Sequence, residues 1–104
     1  MYLAIFITTS NLKEAEKIAQ VLLEKRLAAC INIVPRVHSR FWWKGKIERN
    51  DETLMIIKSK GEVFDELVEY VRAIHTNQVP EILALPVQRG FTEYLTWIDQ
   101  IVKK

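Results

Sequence analysis

The 104-residue sequence has a single cysteine, Cys30, so no disulfide can form within the chain. That suits a reducing compartment and points to the cytoplasm. Histidine is nearly as scarce: only His38 and His75 can bring imidazole chemistry. The three glycines are scattered, so there is no glycine-rich phosphate loop. GxSxG, HExxH and CxxC are all absent, and with them any recognisable nucleophile–base–orienter set, so no enzymatic activity is expected. No apolar run approaches the ~20 residues of a membrane helix. The net charge is +2 and Lys and Arg are dispersed, which gives no reason to expect nucleic acid or a membrane surface as partner. The aromatic signature of RNA-recognition sheets is missing as well.

What is present is apolar. Hydrophobic residues make up 49% of the chain, enough for a core without disulfide or metal staples. The length fits one domain, 1–104. Tyr2 to Thr8 is a short β-rich run, read as a strand buried on both faces and not as a signal peptide. Asn11 and Glu14 form an N-cap and capping-box pair. Leu12, Ala15, Ile18, Ala19, Leu22 and Leu23 then share one helical stripe. Lys25 and Arg26 close that helix, where cations suit the dipole.

Ala28 to Trp43 reads as a strand interrupted at Pro35, which implies an edge position or a bulge. The return strand runs from Lys46 to Lys58, and its apolar stretch Leu54 to Ile57 implies a central place in the sheet. Ser59 and Glu62 are read as a second capping box. Phe64, Leu67, Val68, Val71 and Ile74 stripe the helix behind it, which ends near His75. Pro80 opens a last strand, Glu81 to Val87. Thr92 is expected to cap a terminal helix carrying Leu95, Ile98, Ile101 and Val102. The fold class is therefore α+β: a ferredoxin-like βαββαβ sandwich with a long hairpin and an extra C-terminal helix.

The hairpin carries the strongest signal. In Phe41-Trp42-Trp43-Lys44-Gly45-Lys46-Ile47-Glu48, three large aromatics lead into a two-residue turn. Trp43 then pairs with Lys46, Arg40 faces Arg49, and His38 faces Asp51, with Asp51 also diagonal to Arg40. Sixteen residues would extend roughly 50 Å, against a diameter of about 34 Å for a compact chain of this size. The hairpin either folds back over its own sheet or places its aromatic tip against another subunit. The aromatics favour the second reading, an oligomer in which Phe41, Trp42 and Trp43 form the interface.

Five segments in order resemble the CutA divalent-cation tolerance family over essentially the whole chain. They are Glu24-Lys25-Arg26-Leu27-Ala28-Ala29-Cys30-Ile31-Asn32, Trp42-Trp43-Lys44-Gly45-Lys46-Ile47-Glu48, Ile57-Lys58-Ser59, Val79-Pro80-Glu81-Ile82 and Tyr94-Leu95-Thr96-Trp97-Ile98. The resemblance implies a very stable, thermostable homotrimer whose hairpins extend sheets between subunits, as in PII-like proteins. It implies a role in tolerance of metal ions, with copper binding in some members, and no established enzymatic activity. It also places Lys58 on the cleft between subunits. The chain departs from the family pattern at His75-Thr76-Asn77, where His-Pro-Tyr is usual. Ile7 and Ile74 stand where some bacterial members have a cysteine and a second histidine, so of that copper site only His75 remains.

The candidate metal ligands are His75 and Glu81, for Cu²⁺ or another divalent cation. His75 at a helix end reads first as a cation on the helix dipole and only second as a ligand. Lys58 and Arg40 are the candidate contacts for a small anionic ligand in an intersubunit cleft, the alternative reading of function. Cys30 reads as a small strand residue or as a soft ligand or reactive thiol. It cannot share a metal with His38 in one subunit, because eight strand residues span roughly 26 Å.

Overall fold

Burial alternates along the strands, and that alternation sets the architecture. The computed structural model describes residues 1–104. In order along the chain, the elements are β1 (Tyr2–Thr9), α1 (Leu12–Glu24), β2 (Cys30–Trp43), β3 (Lys46–Lys60), a 3-10 turn (Gly61–Val63), α2 (Phe64–Ile74), β4 (Ile82–Pro86) and α3 (Thr92–Ile101). The strands form one antiparallel sheet in the order β2-β3-β1-β4. This is the ferredoxin-like arrangement, with β3 and β1 central.

Leu3, Ile5 and Ile7 of β1 point to the same side as Met55 and Ile57 of β3. They meet Ala15, Ile18 and Leu22 of α1, Leu67 and Val71 of α2, and Ile98 and Val102 at the end of the chain. The other side of the sheet is left largely open. Tyr2, Ala4 and Phe6 are half-buried, as are Leu54 and Ile56, while Leu83 and Leu85 are exposed. The expectation that the first strand is buried on both faces is not met within this chain. Its apolar sequence is continuous, but α1 and α2 cover one face, and on the other α3 meets the sheet at Tyr2 and Lys60 through Asp99.

Local signals explain most of the boundaries. The Asn11 side chain accepts from the Glu14 N–H at 2.8 Å. The Glu14 carboxylate returns to the Ser10 N–H, one residue outside the expected box. Lys25 and Arg26 lie beyond the helix rather than in its last turn. Arg26 takes a left-handed conformation, φ 56°, and Leu27 N–H donates to the Leu22 carbonyl, closing a Schellman-type end.

Three readings need correction. Ser59 caps no helix: β3 continues through Lys60, and the Ser59 hydroxyl donates to the Leu27 carbonyl at 2.6 Å. Thr92 is the first residue of α3 and gives it no side-chain cap. β2 and β4 are shorter than read, starting at Cys30 and Ile82.

The hairpin has the expected register, with Trp43 opposite Lys46, Arg40 opposite Arg49 and His38 opposite Asp51. Its turn has φ 51° at Lys44 and φ 78° at Gly45, both left-handed, as a type I′ turn requires. The pairing shifts between Val34 and Val37, so Pro35 sits at an irregularity on the edge strand. The molecule measures 44 × 26 × 22 Å, with a radius of gyration of 14.1 Å. A compact chain of this length has about 13 Å, so the hairpin does lengthen the molecule.

Candidate functional site

His75 ends α2 and is buried. Its Nε2 donates to the Thr8 carbonyl at 2.7 Å, and its Nδ1 accepts from the Asn77 N–H at 3.1 Å. Both ring nitrogens are thus engaged by backbone, which fixes the Nε2–H tautomer. A metal on either nitrogen displaces one of these bonds. Glu81 makes no hydrogen bond or ion pair with His75; burial, and then the nearby Glu52 carboxylate, raise its pKa. No three His, Cys, Asp or Glu side chains gather anywhere as a metal cage.

The carboxylate coupled to His75 is Glu14, which the sequence reading treated only as a helix cap. Its Oε2 accepts from the Thr76 N–H at 2.8 Å while Oε1 holds Ser10. Burial alone would raise its pKa, but the hydrogen bonds from Ser10 and Thr76, together with His75, bring it below the ordinary glutamate value. The knot of Thr8, Glu14, His75, Thr76 and Asn77 ties the start of α1 to the end of α2. Asn77 contributes its backbone N–H to His75, and its side-chain oxygen accepts from the Ser10 hydroxyl at 3.4 Å.

Lys58 and Arg40 lie far apart in one chain. Lys58 faces Cys30 across the strand pair, whereas Arg40 lies ten residues further along β2, roughly 30 Å away. Lys58 is half-buried; its ammonium bonds the Asn32 carboxamide oxygen and lies 3.8 Å from the Cys30 sulfur. Arg40 faces Arg49 and pairs with no carboxylate, because Asp51 is held by Arg36 and His38, each at 2.7 Å. Arg36 was missed because the register shift at Pro35 carries it toward Asp51.

At the tip, Trp42 is 72% exposed and Ile47 63%, directly opposite one another. Trp43 is 38% exposed and Phe41 half-buried. Two shallow surface hollows lie elsewhere. One follows the acidic side of α2 at Glu62, Asp65, Glu66 and Glu69, and the other lies beside the start of α1.

A ferredoxin-like sandwich with a largely open apolar sheet face and an aromatic-tipped hairpin defines the class of domain. A protein-family model described as CutA1 divalent ion tolerance protein matches residues 3–101. The chain belongs to the CutA family. It is 50% identical to the divalent-cation tolerance protein CutA of Archaeoglobus fulgidus over 103 residues, covering 99% of this chain and 100% of that protein. It is 45% identical to mouse protein CutA, covering 96% of this chain but only 56% of the longer mouse protein. A solved structure of the A. fulgidus protein, described as periplasmic, superposes with a TM-score of 0.96 at 48% identity, covering 99% of this chain and 100% of that one. The CutA1 structure of Thermus thermophilus gives 0.96 at 40% identity, covering 98% and 99%. No helix in the chain is long and apolar enough to cross a membrane.

Proposed function

We propose that residues 1–104 act as one domain, a non-enzymatic subunit of a homotrimer serving divalent metal-ion tolerance. The observation that carries the assembly is the uncovered apolar surface. The open sheet face and the tip residues Phe41, Trp42 and Trp43 expose apolar area that a folded monomer seldom leaves bare. Both edges of the sheet, β2 and β4, also lack a partner strand. A neighbouring copy supplies cover for the face and a partner for the edges. The count of three comes from the family resemblance. Relatives whose structures are described as a stable protein from Shewanella, and as Pyrococcus horikoshii CutA in the presence of 3 M guanidine hydrochloride, support a stable fold; the thermostability of the assembly comes from the family resemblance. Light scattering tests it: the mass should be three times 12.2 kDa, and a mass of one subunit would sink the reading.

Metal binding in this proposal is weak. His75 with Glu81 offers one imidazole and one carboxylate, and His75 must give up a backbone hydrogen bond to ligate. Calorimetric titration with Cu²⁺ should show at most weak binding, diminished in His75→Ala; heat unchanged by that substitution would exclude His75. The partners are copies of the chain rather than nucleic acid or membrane. The lone Cys30 thiol supports the cytoplasm, which cell fractionation would test against the periplasmic description of the archaeal relative.

A second reading takes Lys58 and Arg40 as cationic contacts for a small anion between subunits, in the manner of PII-like regulators. Neither side chain is paired with a carboxylate. Their separation within one chain requires that Arg40 come from a neighbour.

A further inference from the structure

The open face of the sheet carries its charges at two ends. Cys30, Lys58, Ala4 and Leu85 make one row across β2, β3, β1 and β4. Asn32, Ile56, Phe6 and Leu83 make the next, and Val34, Leu54 and Thr8 the one after. Beyond the first row, Lys60 and Tyr2 stand opposite each other beneath Asp99 of α3. Beyond the last lie Glu52, which follows Leu54 on this face of β3, and Glu81, one residue before β4.

Lys60 and Lys58 have opposite surroundings. The Tyr2 hydroxyl donates to Asp99 at 2.5 Å, and the Lys60 ammonium lies 3.3 Å from the same carboxylate, so Lys60 is buried but neutralised. Lys58 is half-buried, and its ammonium meets only neutral groups, the Asn32 carboxamide and the Cys30 thiol. The far end of the face is the inverse. Neither Glu52 nor Glu81 forms an ion pair, and partial burial, then the Glu52 carboxylate, raise the pKa of Glu81. The face therefore has a cation without an acid at one end and two acids without a cation at the other. Lys58 and Glu52 are six residues apart on β3, roughly 20 Å, too far to pair within one chain.

A neighbouring copy laid over this face takes both ends out of water. A charge buried that way without a partner is expensive. In a head-to-tail ring each subunit offers one end of its face to the copy before it and the other end to the copy after it. The charges suit that arrangement, because a basic end meets an acidic one at every interface. We propose that Lys58 of one subunit pairs with Glu52 and Glu81 of the next, so that charge sets the direction of the ring while apolar area holds it. This rests on the trimer proposed above. It gives Lys58 a protein carboxylate in place of the free anion of the second reading, and it needs no Arg40.

The test is light scattering of the whole protein over a dilution series in urea, with far-UV circular dichroism in parallel. The variants are Lys58→Glu, the double reversal Glu52→Lys with Glu81→Lys, and all three together. Lys58→Glu should raise the trimer dissociation constant about a hundredfold or more, and so should the double reversal. The triple reversal should return to within about tenfold of the parent, because the pair is re-formed with its charges exchanged. If Lys58→Glu does not fold, Lys58→Met carries the test, alone and with Glu52→Gln and Glu81→Gln. Neutralising the two acids should then cost far less in the Lys58→Met background than in the parent. Effects that simply add, in either set, overturn the pairing. So does a trimer indifferent to Glu52 and Glu81 but tightened by added phosphate, which would give Lys58 a free anion. A parent that scatters as a single subunit sinks the trimer reading itself; a trimer whose variants show no coupling keeps that reading and loses only the Lys58 pair.

Discussion

The globule and the hairpin use the same kinds of apolar residue to different ends. In the globule, Ile5, Ile57, Leu67 and Val71 are fully buried by their own chain. In the hairpin, Trp42 and Ile47 face each other in solvent, with cationic Arg40 and Arg49 the next pair on the same face. Like charges directly opposite each other weaken a strand pair rather than strengthen it. The hairpin is therefore built less for the stability of the single chain than for a surface beyond it. The open sheet face lies between these extremes, with a strand sequence suited to burial on both sides and cover on one.

The largest expected effect breaks that contrast at the hairpin. Replacing Trp42, Trp43 and Ile47 together by Ser should convert the proposed trimer to single subunits, read as a threefold fall in mass by light scattering. The far-UV circular dichroism of the globule should persist. A triple variant that keeps its mass would show that the tip takes no part in assembly. In the globule the matching experiment is Leu67→Ala. Leu67 is fully buried between α2 and the sheet, so truncation should cost about 2–5 kcal/mol in urea unfolding. A loss comparable to that of an exposed site would contradict the core as described.

Glu14 sharpens the comparison within the globule. Its carboxylate satisfies two backbone N–H groups, so Glu14→Ala should cost about 1–3 kcal/mol. Its folded pKa lies below the ordinary 4.5, so the ionised carboxylate is the form that folding favours. The stabilisation is therefore complete above pH 4.5 and is lost as pH falls through the lower folded value. Parent and Glu14→Gln stabilities should converge in acid and separate above about pH 5. A gap that is constant from pH 3 to pH 7 would remove the charge from the explanation.

The two regions also differed in how readable they were. The hairpin register followed from one local fact, the Lys44-Gly45 turn, because a two-residue loop fixes every pair down the ladder. Helix stripes and the Asn11 cap were similarly local. Ser59 was misread because Ser followed by Glu three residues later resembles a cap, while the strand pairing with β1 continued through it to Lys60. His75 was singled out from its place at a helix end, but its partners come from Thr8, 67 residues away, and from the chain's turn at Asn77. No spacing rule supplies such contacts. The difference between Lys58 and Lys60 was equally hidden, since it depends on where α3 brings Asp99. Tyr2 and Asp99, 97 residues apart, meet only in the fold.

The smallest effect lies in the turn itself, where two energies of similar size compete. Lys44 is held at φ 51°, a conformation that disfavours most side chains by about 1–2 kcal/mol but that asparagine tolerates. Its ammonium lies 5.9 Å from the Trp43 ring, an exposed cation–π contact worth roughly 0.5 kcal/mol. Lys44→Asn relieves the first and forfeits the second, so it should stabilise the hairpin slightly, by about half a kcal/mol. Gly45→Ala runs the other way. A Cβ there meets nothing within 4 Å, so its cost is purely that of φ 78° and should be about 1 kcal/mol. The two substitutions should therefore shift the unfolding midpoint in opposite directions. Shifts of the same sign would mean that the tip contacts of Lys44, and not the backbone of the turn, set the stability of the hairpin's end.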